Sequence, residues 1–197
     1  MAQQALNQDI SSSEALQAAT GVKEQLENLI FTLRENVTLR RVKVVQSDMM
    51  GIYMHQRMDA EMGIKADPAV NGKVMLGARL AVVDFDVQTE HMENVAKIAQ
   101  PVVDKLAVHV LSMEPKFISK ETAPAGTDVE DILFEQEFGL MGETKTVGQV
   151  LEGVSKKIAK QGSKLTLKEM HRWICGEGLE KKTGDNFAEE VEALLKK

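Results

Sequence analysis

The sequence predicts an α+β fold in which an antiparallel sheet packs against helices. In several short segments apolar residues alternate with polar ones, which is the period of a strand. In longer segments the apolar residues recur about every 3.6 positions, as in amphipathic helices. Three strand-like segments follow one another between residues 35 and 87, and a C-terminal strand follows a later helical pattern. With 197 residues, 43% of them hydrophobic, the chain can bury one sizeable core or two small ones.

Residues 1–34 are predicted to form an N-terminal helical segment. Ser11, followed by Glu14, is a capping-box pattern for a short first helix, which Gly21 interrupts. From Val22 a second helix carries a single apolar stripe, with the spacing of a helix that rests on a sheet. The stripe consists of Leu26, Leu29, Ile30 and Leu33.

Residues 35–118 are predicted to form a sheet-plus-helix core. The first strand, ENVTLRRVKVV, changes the phase of its alternation at Arg40 and Arg41, which indicates a bulge. The second strand, MGIYMH, places Tyr53 and His55 on one face. The third strand, KVMLGARLAVVDFDV, contains a nearly continuous apolar run, which predicts a position in the middle of the sheet.

A helical period begins after Asp86 and continues to Val110. Thr89 is the candidate N-cap of this helix, and Glu90 lies in its first turn, where a negative charge is favourable. Pro101 lies within the apolar stripe. We therefore expect the helix to kink there or a second helix to begin.

The rest of the chain is predicted to form two further segments. Residues 119–145 have the pattern of a loop and a short helix. Residues 146–197 have the pattern of a helix-strand-helix module, and its first helix opens with a capping box, Thr146 to Gln149. The strand, KLTLKEMHRWI, changes phase in its middle, and a C-terminal helix that carries Phe187 follows it.

Composition and charge argue against several classes of function. A net charge of −6 disfavours a nucleic-acid surface, because phosphate binding needs clustered Lys and Arg. Cys175 is the one cysteine of the chain, so no intrachain disulfide can form and we expect a reducing compartment. No apolar run approaches membrane-spanning length, and the N-terminus lacks the basic and apolar regions of a leader. We expect no membrane association.

The sequence predicts no catalytic residue, no cofactor and no resident metal. Asp84, Asp86, Glu90 and His91 form a short run of metal-capable side chains, but so loose a spacing is more typical of a strand end and a helix cap. His109 lies on an apolar helix face without a paired nucleophile, so we interpret it as a packing histidine. The chain has no glycine-rich phosphate loop, and we expect no direct binding of nucleotide.

The strand region resembles a known family. RENVTLRRVKVVQSDMMGIYMH, followed by GARLAVVDF, is similar to bacterial and organellar elongation factor Ts, which typically reads GENINIRR, then a Tyr-x-His segment, then a Gly-x-Arg-hydrophobic strand. KLAVHVLSMEPKFI is similar to the family's A-M-H-V-A-x-x-x-P-x-F/Y-I helix end. TKTVGQVL and CGEGLEKKTGDNFAEEV resemble its tail. The similar segments cover most of residues 35–195 in the family's order.

The resemblance implies a translation elongation factor with the sheet of the elongation factor Ts dimerisation domain. In that family the protein is a guanine nucleotide exchange factor for the GTPase elongation factor Tu, which is therefore the implied partner. The implied location is the translation compartment: the bacterial cytoplasm, or the mitochondrial matrix or plastid stroma for an organellar form. The residues expected to contact the partner are Arg40, Arg41, Tyr53, His55, Thr89, Glu90, His91 and Phe187.

Two departures from the family leave a second hypothesis open. Family members usually begin with a small three-helix module, and nothing before Leu33 resembles it. The family's T-D-F wedge, which enters the GTPase beside its magnesium site, has only a degenerate counterpart in Thr89, Glu90 and His91. The alternative is a divergent paralogue that binds a ribosomal or other protein without efficient exchange activity.

Three of the expected contact residues also have a structural interpretation. Arg40 and Arg41 can straddle the sheet with their aliphatic stems packed on it. Tyr53 can be a packing residue whose hydroxyl is hydrogen-bonded. The sequence leaves both interpretations open.

Overall fold

The structure, a computed structural model, describes residues 1–57, 76–141 and 144–179. In this part of the chain the helices are α1 (Ala2–Asn7), α2 (Ser13–Ala18), α3 (Val22–Leu33), α4 (Met92–Met113) and α5 (Val147–Ala159). The strands are β1 (Met49–Arg57), β2 (Gly77–Gln88) and β3 (Lys164–Ile174). The strands form one antiparallel sheet against helices, which confirms the predicted α+β fold.

β2 is the central strand of a sheet with the order β1-β2-β3. This confirms the prediction from its apolar run, since a central strand is buried more fully than an edge strand. Asp84 pairs with Glu169 and Phe85 with Leu167, which leaves Lys168 as an extra residue in β3. The phase change that the sequence showed in this strand is therefore a β-bulge.

The prediction of a first strand, ENVTLRRVKVV, is wrong. Residues 36–47 form neither helix nor strand, so Arg40 and Arg41 are not a bulge in a ladder. These residues lie beside β3 without a backbone ladder: the Arg41 side chain donates to the Ile174 carbonyl, and that of Lys43 to Glu169. Leu39 and Val42 pack instead against the N-terminal helices, which partly bury these two apolar side chains without a partner strand.

The main core lies between the sheet and helices α4 and α5. Phe85 of β2 and Leu106 of α4 are at most 1% exposed. Helix α4 lies very close to β1 at Gly51, where a Cβ atom would lie 2.3 Å from the backbone oxygen of Val103. A larger residue fits there only if the helix moves away from the strand.

Helix α4 begins later than the sequence predicted and is continuous. Its N-cap is His91, not Thr89. The Thr89 hydroxyl accepts a hydrogen bond from the His91 N–H at 2.8 Å, which closes a separate turn before the helix. The helix then passes through Pro101, so of the two expected outcomes, a kink or a second helix, the second helix does not form. Pro101 is exposed, and water can bind the carbonyl that its missing N–H leaves unpaired.

The N-terminal helices form a small cluster of their own, with Ala5, Leu16 and Val22 as its buried residues. Helix α1 was not predicted. The N-cap of α2 is Ser12 instead of Ser11, and its hydroxyl accepts a backbone N–H at 3.1 Å. The cluster adds a second, much smaller apolar interior to that of the main core.

The apolar stripe of α3 does not rest on the sheet as predicted. Leu33 is 51% exposed, and Phe31, which lies beside the stripe, is 81% exposed. The reason is that α4 and α5 already cover the inner face of the sheet. Amphipathic spacing shows that a helix has an apolar face, but it does not say which surface covers that face.

Between α4 and α5 the chain forms single turns of 3₁₀ helix where one short helix was predicted. The turns span Val129–Asp131, Leu133–Glu135 and Gly139–Met141. Helix α5 begins with the predicted capping box, in which Thr146 and Gln149 bond each other's backbone N–H groups. The predicted C-terminal helix lies outside the described residues, and the division into four segments stays a prediction.

Candidate functional site

Tyr53 and His55 lie on one face of β1, near the end of that strand. The Tyr53 hydroxyl and the His55 Nδ1 are 3.2 Å apart, and the ring centroids are 6.1 Å apart. Tyr53 is half-buried against the main core, whereas His55 is exposed. The core thus fixes the strand, and Tyr53 orients an imidazole that remains at the surface.

Arg40 and Arg41 bind the end of β3 and the turn after it. Arg40 Nη1 donates to the backbone oxygen of Glu177 at 2.9 Å, and Arg41 Nη2 donates to that of Ile174 at 3.0 Å. The Arg41 guanidinium carbon also lies 5.4 Å from the centroid of the Trp173 ring, a cation–π contact. These contacts favour the structural interpretation of the pair, since they hold residues 36–47 beside the sheet.

Thr89, Glu90 and His91 lie between β2 and α4. The Thr89 hydroxyl is 2.7 Å from the hydroxyl of Ser163, which is buried, and this contact joins the start of α4 to the start of β3. The Glu90 and His91 side chains are exposed, and neither has a hydrogen bond or ion pair in the described part of the chain. Thr89 therefore supports the local structure, while Glu90 and His91 are available to a partner.

The structure separates the expected contact residues into two groups. His55 of β1 pairs with Arg79 of β2, which pairs with Ile174 of β3, so this end of the sheet carries Tyr53, His55 and the arginine pair. We call it the His55 end. Thr89 follows β2 at the opposite end, which we call the Thr89 end. About ten residues of β2 separate the two ends, or roughly 33 Å along an extended strand. Phe187 lies outside the described residues.

Arg172, for which the sequence indicated no role, lies in an ionic cluster. Its guanidinium donates to Glu177 Oε1 at 2.7 Å and to Glu114 Oε1, and its side chain is only 17% exposed. Glu177 Oε2 also lies 3.8 Å from Arg41. The cluster ties the C-terminal end of α4 to the end of β3. No local signal could have revealed the contact with Glu114, because that residue lies 58 positions from Arg172, although Glu177 lies only 5 positions away.

His109 is confirmed as a packing histidine. It is 3% exposed, its Nε2 lies 2.9 Å from Gln136 Oε1, and its ring contacts Phe138 edge to face at 5.2 Å. Burial lowers the pKa of His109, and the hydrogen bond to Gln136 opposes that shift only in part. A neutral imidazole thus anchors the segment after α4 to the helix.

The loose run of acidic residues near the end of β2 contains one unusual side chain. Asp84 is 2% exposed, and its Oδ1 has no hydrogen-bond partner among the described residues. Asp86 lies 3.8 Å from Lys168. No group of three or more potential metal ligands comes together in residues 1–57, 76–141 and 144–179. None of the helices described there has the length and apolarity that a membrane span needs.

Comparison with known proteins decides the family. Residues 1–130 match the family model of Elongation factor TS. The chain belongs to the elongation factor Ts family. It is similar to bacterial proteins named Elongation factor Ts: 30% identical to that of Methylorubrum populi over 96% of the chain and 67% of the relative, 31% to that of Methylobacterium radiotolerans over 95% and 66%, and 27% to that of Hamiltonella defensa over 98% and 64%.

The extent of these matches changes one expectation. The family match begins at residue 1, so α1 to α3 lie within it, although the sequence motifs placed the resemblance after Leu33. The chain spans about two thirds of the length of these relatives. By family it is a translation elongation factor, and neither comparison indicates a family of enzymes.

Proposed function

We propose that the protein binds elongation factor Tu and promotes GDP release as a guanine nucleotide exchange factor. Membership of the elongation factor Ts family is the observation that carries this proposal. The protein would then act wherever translation takes place, which for its bacterial relatives is the cytoplasm. The proposal requires a rigid protein surface and no catalytic cleft, because exchange works through differential binding.

The mechanism is thermodynamic linkage. An exchange factor binds the nucleotide-free or distorted GTPase more tightly than the GDP-bound form. GDP affinity then falls by the same free energy, because coupling between two binding sites is reciprocal. The factor must keep its own shape while the GTPase changes. A contact residue on a strand of the main core meets this requirement.

We propose the His55 end as the main contact surface. His55 is exposed and oriented by Tyr53, and the strand beneath it is anchored by the close approach of Gly51 to α4. Arg40 and Arg41 border the same end, and Arg41 retains 38% side-chain exposure for a partner. At the Thr89 end we propose contacts by Glu90 and His91, and beyond the described residues by Phe187.

A fluorescent-GDP release assay with elongation factor Tu tests the proposal. We expect the full chain to accelerate release and to form a complex with the GTPase in calorimetry. Clear binding with no acceleration at saturating protein would support the second candidate, a paralogue that binds without exchange. One observation favours that candidate: the Thr89 hydroxyl already bonds His91 and Ser163, so this end has limited freedom to act as a wedge.

His55→Ala locates the contact surface. We expect the substitution to weaken the complex by about 1 to 2 kcal/mol, since interface energy concentrates in few residues. His91→Ala, at the other exposed histidine, probes the Thr89 end of the sheet in the same way. Equal effects of the two substitutions would assign the contact to both ends, and an unchanged affinity of His55→Ala would exclude the His55 end. Circular dichroism must show that each variant is folded.

His91→Phe tests the role of the Thr89 end. A phenyl ring buries more apolar area than imidazole in an apolar slot, so we expect faster GDP release if this position enters the GTPase. Glu90→Ala removes the neighbouring exposed side chain and is a second test of the same turn. If neither substitution changes the rate, the turn between β2 and α4 is a structural cap only.

A further inference from the structure

Arg79 lies at the His55 end, in the central strand of the sheet. It pairs with His55 of β1 on one side and with Ile174 of β3 on the other. Its side chain is exposed, and its guanidinium makes no hydrogen bond or ion pair in the described part of the chain. A guanidinium carries five N–H donors, so Arg79 presents unused donors at this end of the sheet.

The other arginines of the His55 end are bound within the chain itself. The arginine pair donates to carbonyl groups at the end of β3 and in the turn after it. Arg172 donates to the carboxylates of Glu114 and Glu177. The chain has a net charge of −6, yet no carboxylate of the described residues forms an ion pair with Arg79. Its charge is therefore available to another molecule.

Arg79 and His55 lie on the face of the sheet that covers the main core. Paired residues of neighbouring strands share a face, and so do residues two positions apart along one strand. Ala81 and Val83, which follow Arg79 at these intervals, are 0% exposed in the main core. Tyr53, two positions before His55, packs against the same core. The two exposed side chains thus extend from strands that the core holds in place.

Arg79 and His55 are placed to bind one partner group together. Directly opposed residues of an antiparallel pair have Cβ atoms about 5 Å apart. The Tyr53 hydroxyl contacts His55 Nδ1, which leaves Nε2 without a hydrogen bond to the described residues. A carboxylate has two oxygens, so one can accept from the guanidinium while the other accepts from a protonated Nε2.

We propose that Arg79 binds a carboxylate of elongation factor Tu and thereby determines which surface of the GTPase the His55 end accepts. This inference rests on the function proposed above. The guanidinium loses water when the complex forms, and a buried cation without a partner is strongly unfavourable. A GTPase surface with a carboxylate at this point compensates for that loss, whereas an apolar or basic surface does not. Arg79 is thus a specificity-determining residue.

A simpler role for Arg79 gives the opposite expectation. Exposed cations on a sheet also keep a protein soluble and prevent unwanted association. In that role the charge matters, but its position opposite His55 does not. Arg34 is the matched comparison, because it is exposed and has no hydrogen bond or ion pair in residues 1–57, 76–141 and 144–179. It follows α3 and lies outside the strands of the sheet.

The first experiment measures the affinity of elongation factor Tu for the full chain and its variants by calorimetry. We expect Arg79→Ala to weaken the complex at least about tenfold, since interface energy concentrates in few residues. Arg79→Glu should weaken it further, because a glutamate repels the partner's carboxylate. Arg34→Ala should change the affinity by less than about twofold. Equal effects of Arg79→Ala and Arg34→Ala, in variants that circular dichroism shows to be folded, would overturn the proposal.

The unsubstituted chain separates this inference from the function on which it rests. If that chain does not bind the GTPase, the proposed function and the role of Arg79 both fail. If it binds and accelerates GDP release, and Arg79→Glu binds equally well, the function stands and only the role of Arg79 fails.

The second experiment tests whether the partner's group is a carboxylate. Arg79→Lys keeps the positive charge and supplies an amine, which a carbodiimide joins to a neighbouring carboxylate as an amide. Mass spectrometry of the digested complex should find position 79 linked to an aspartate or a glutamate of the GTPase. Arg34→Lys should give no such link. A weaker complex with Arg79→Ala but no cross-link from Arg79→Lys would indicate a neutral acceptor, such as a backbone carbonyl, and would overturn the proposal.

Discussion

The main core and the N-terminal helical cluster both bury apolar side chains fully, but far more residues take part in the main core. In the main core, residues from all three strands, α4, α5 and the segment between the helices form one continuous interior. The N-terminal cluster has three buried residues, and its helix α3 leaves Phe31 81% exposed. Both regions have helices with an apolar period. This difference shows that an apolar period gives a helix an apolar face, whereas the stability of the helix depends on the surface that covers this face.

Replacing an equally buried leucine with alanine should therefore lower the free energy of unfolding more in the main core than in the N-terminal cluster. Leu106→Ala removes a side chain that is 0% exposed, and Leu16→Ala removes one that is 1% exposed. We expect Leu106→Ala to lower the free energy of unfolding by about 3 to 4 kcal/mol, the usual cost of a cavity in a close-packed interior. Urea denaturation followed by circular dichroism measures this loss.

Leu16→Ala should leave that global transition nearly unchanged and instead speed amide exchange in α1 to α3, which can open locally. An equal loss of global stability in both variants would show that the two regions unfold as one unit.

Glycine contacts provide a second comparison, within the main core. Gly51→Ala forces a Cβ atom against the Val103 oxygen. We expect this overpacking to lower the free energy of unfolding by about 2 to 3 kcal/mol. Gly153→Ala is the matched control, because Gly153 lies in α5 with no atom within 4 Å of an added Cβ. At this position alanine should raise the free energy of unfolding by about 0.5 to 1 kcal/mol, which is the difference in helix propensity between alanine and glycine. Thermal melts of the two variants should shift in opposite directions.

His109 gives the main core a pH dependence near neutral pH, whereas residues 1–34 contain no histidine. Burial lowers the pKa of His109 in the folded state, so the unfolded chain binds the proton more readily. The stabilisation is therefore complete above the unfolded pKa, near 6.5, and declines as the pH falls toward the folded pKa. Urea midpoints measured at several pH values should fall below about pH 6.5. His109→Leu should flatten that profile, and an unchanged slope would assign the pH dependence to other groups.

Substitutions at helix caps give the smallest expected difference in stability between the main core and the N-terminal cluster. Thr146→Ala removes the capping box of α5 and Ser12→Ala removes the N-cap of α2, each with a cost of about 1 kcal/mol to its helix. Because α5 packs on the main core, Thr146→Ala should lower global stability. Ser12→Ala should change only amide exchange in the N-terminal cluster. A global loss from Ser12→Ala would contradict the separation of the two regions.

The sequence could predict which residues are candidates for contact, but not how these residues are grouped on the surface of the folded chain. Alternation correctly placed Tyr53 and His55 on one face of a strand. Nothing local could show that Thr89 lies at the opposite end of the sheet, or that Arg172 joins Glu114 and Glu177. Those relations depend on which strands pair and in which register, and register is set by the whole sheet.

The sequence by itself determined features that depend on near neighbours. These include the capping box at Thr146, the bulge in β3, the central position of β2 and the packing role of His109. Each follows from a local hydrogen-bonding or apolar pattern, whose meaning changes little with the rest of the fold.

Only the tertiary structure decided which segments compete for the same surface. Residues 36–47 have the alternation of a strand, and α3 has the stripe of a helix that rests on a sheet. Residues 36–47 lie instead beside β3, which Arg40, Arg41 and Lys43 contact through their side chains. Helix α3 is kept from the sheet because α4 and α5 already cover the inner face. A sheet has two edges and two faces, and a local pattern carries no information about which of several suitable segments will occupy them.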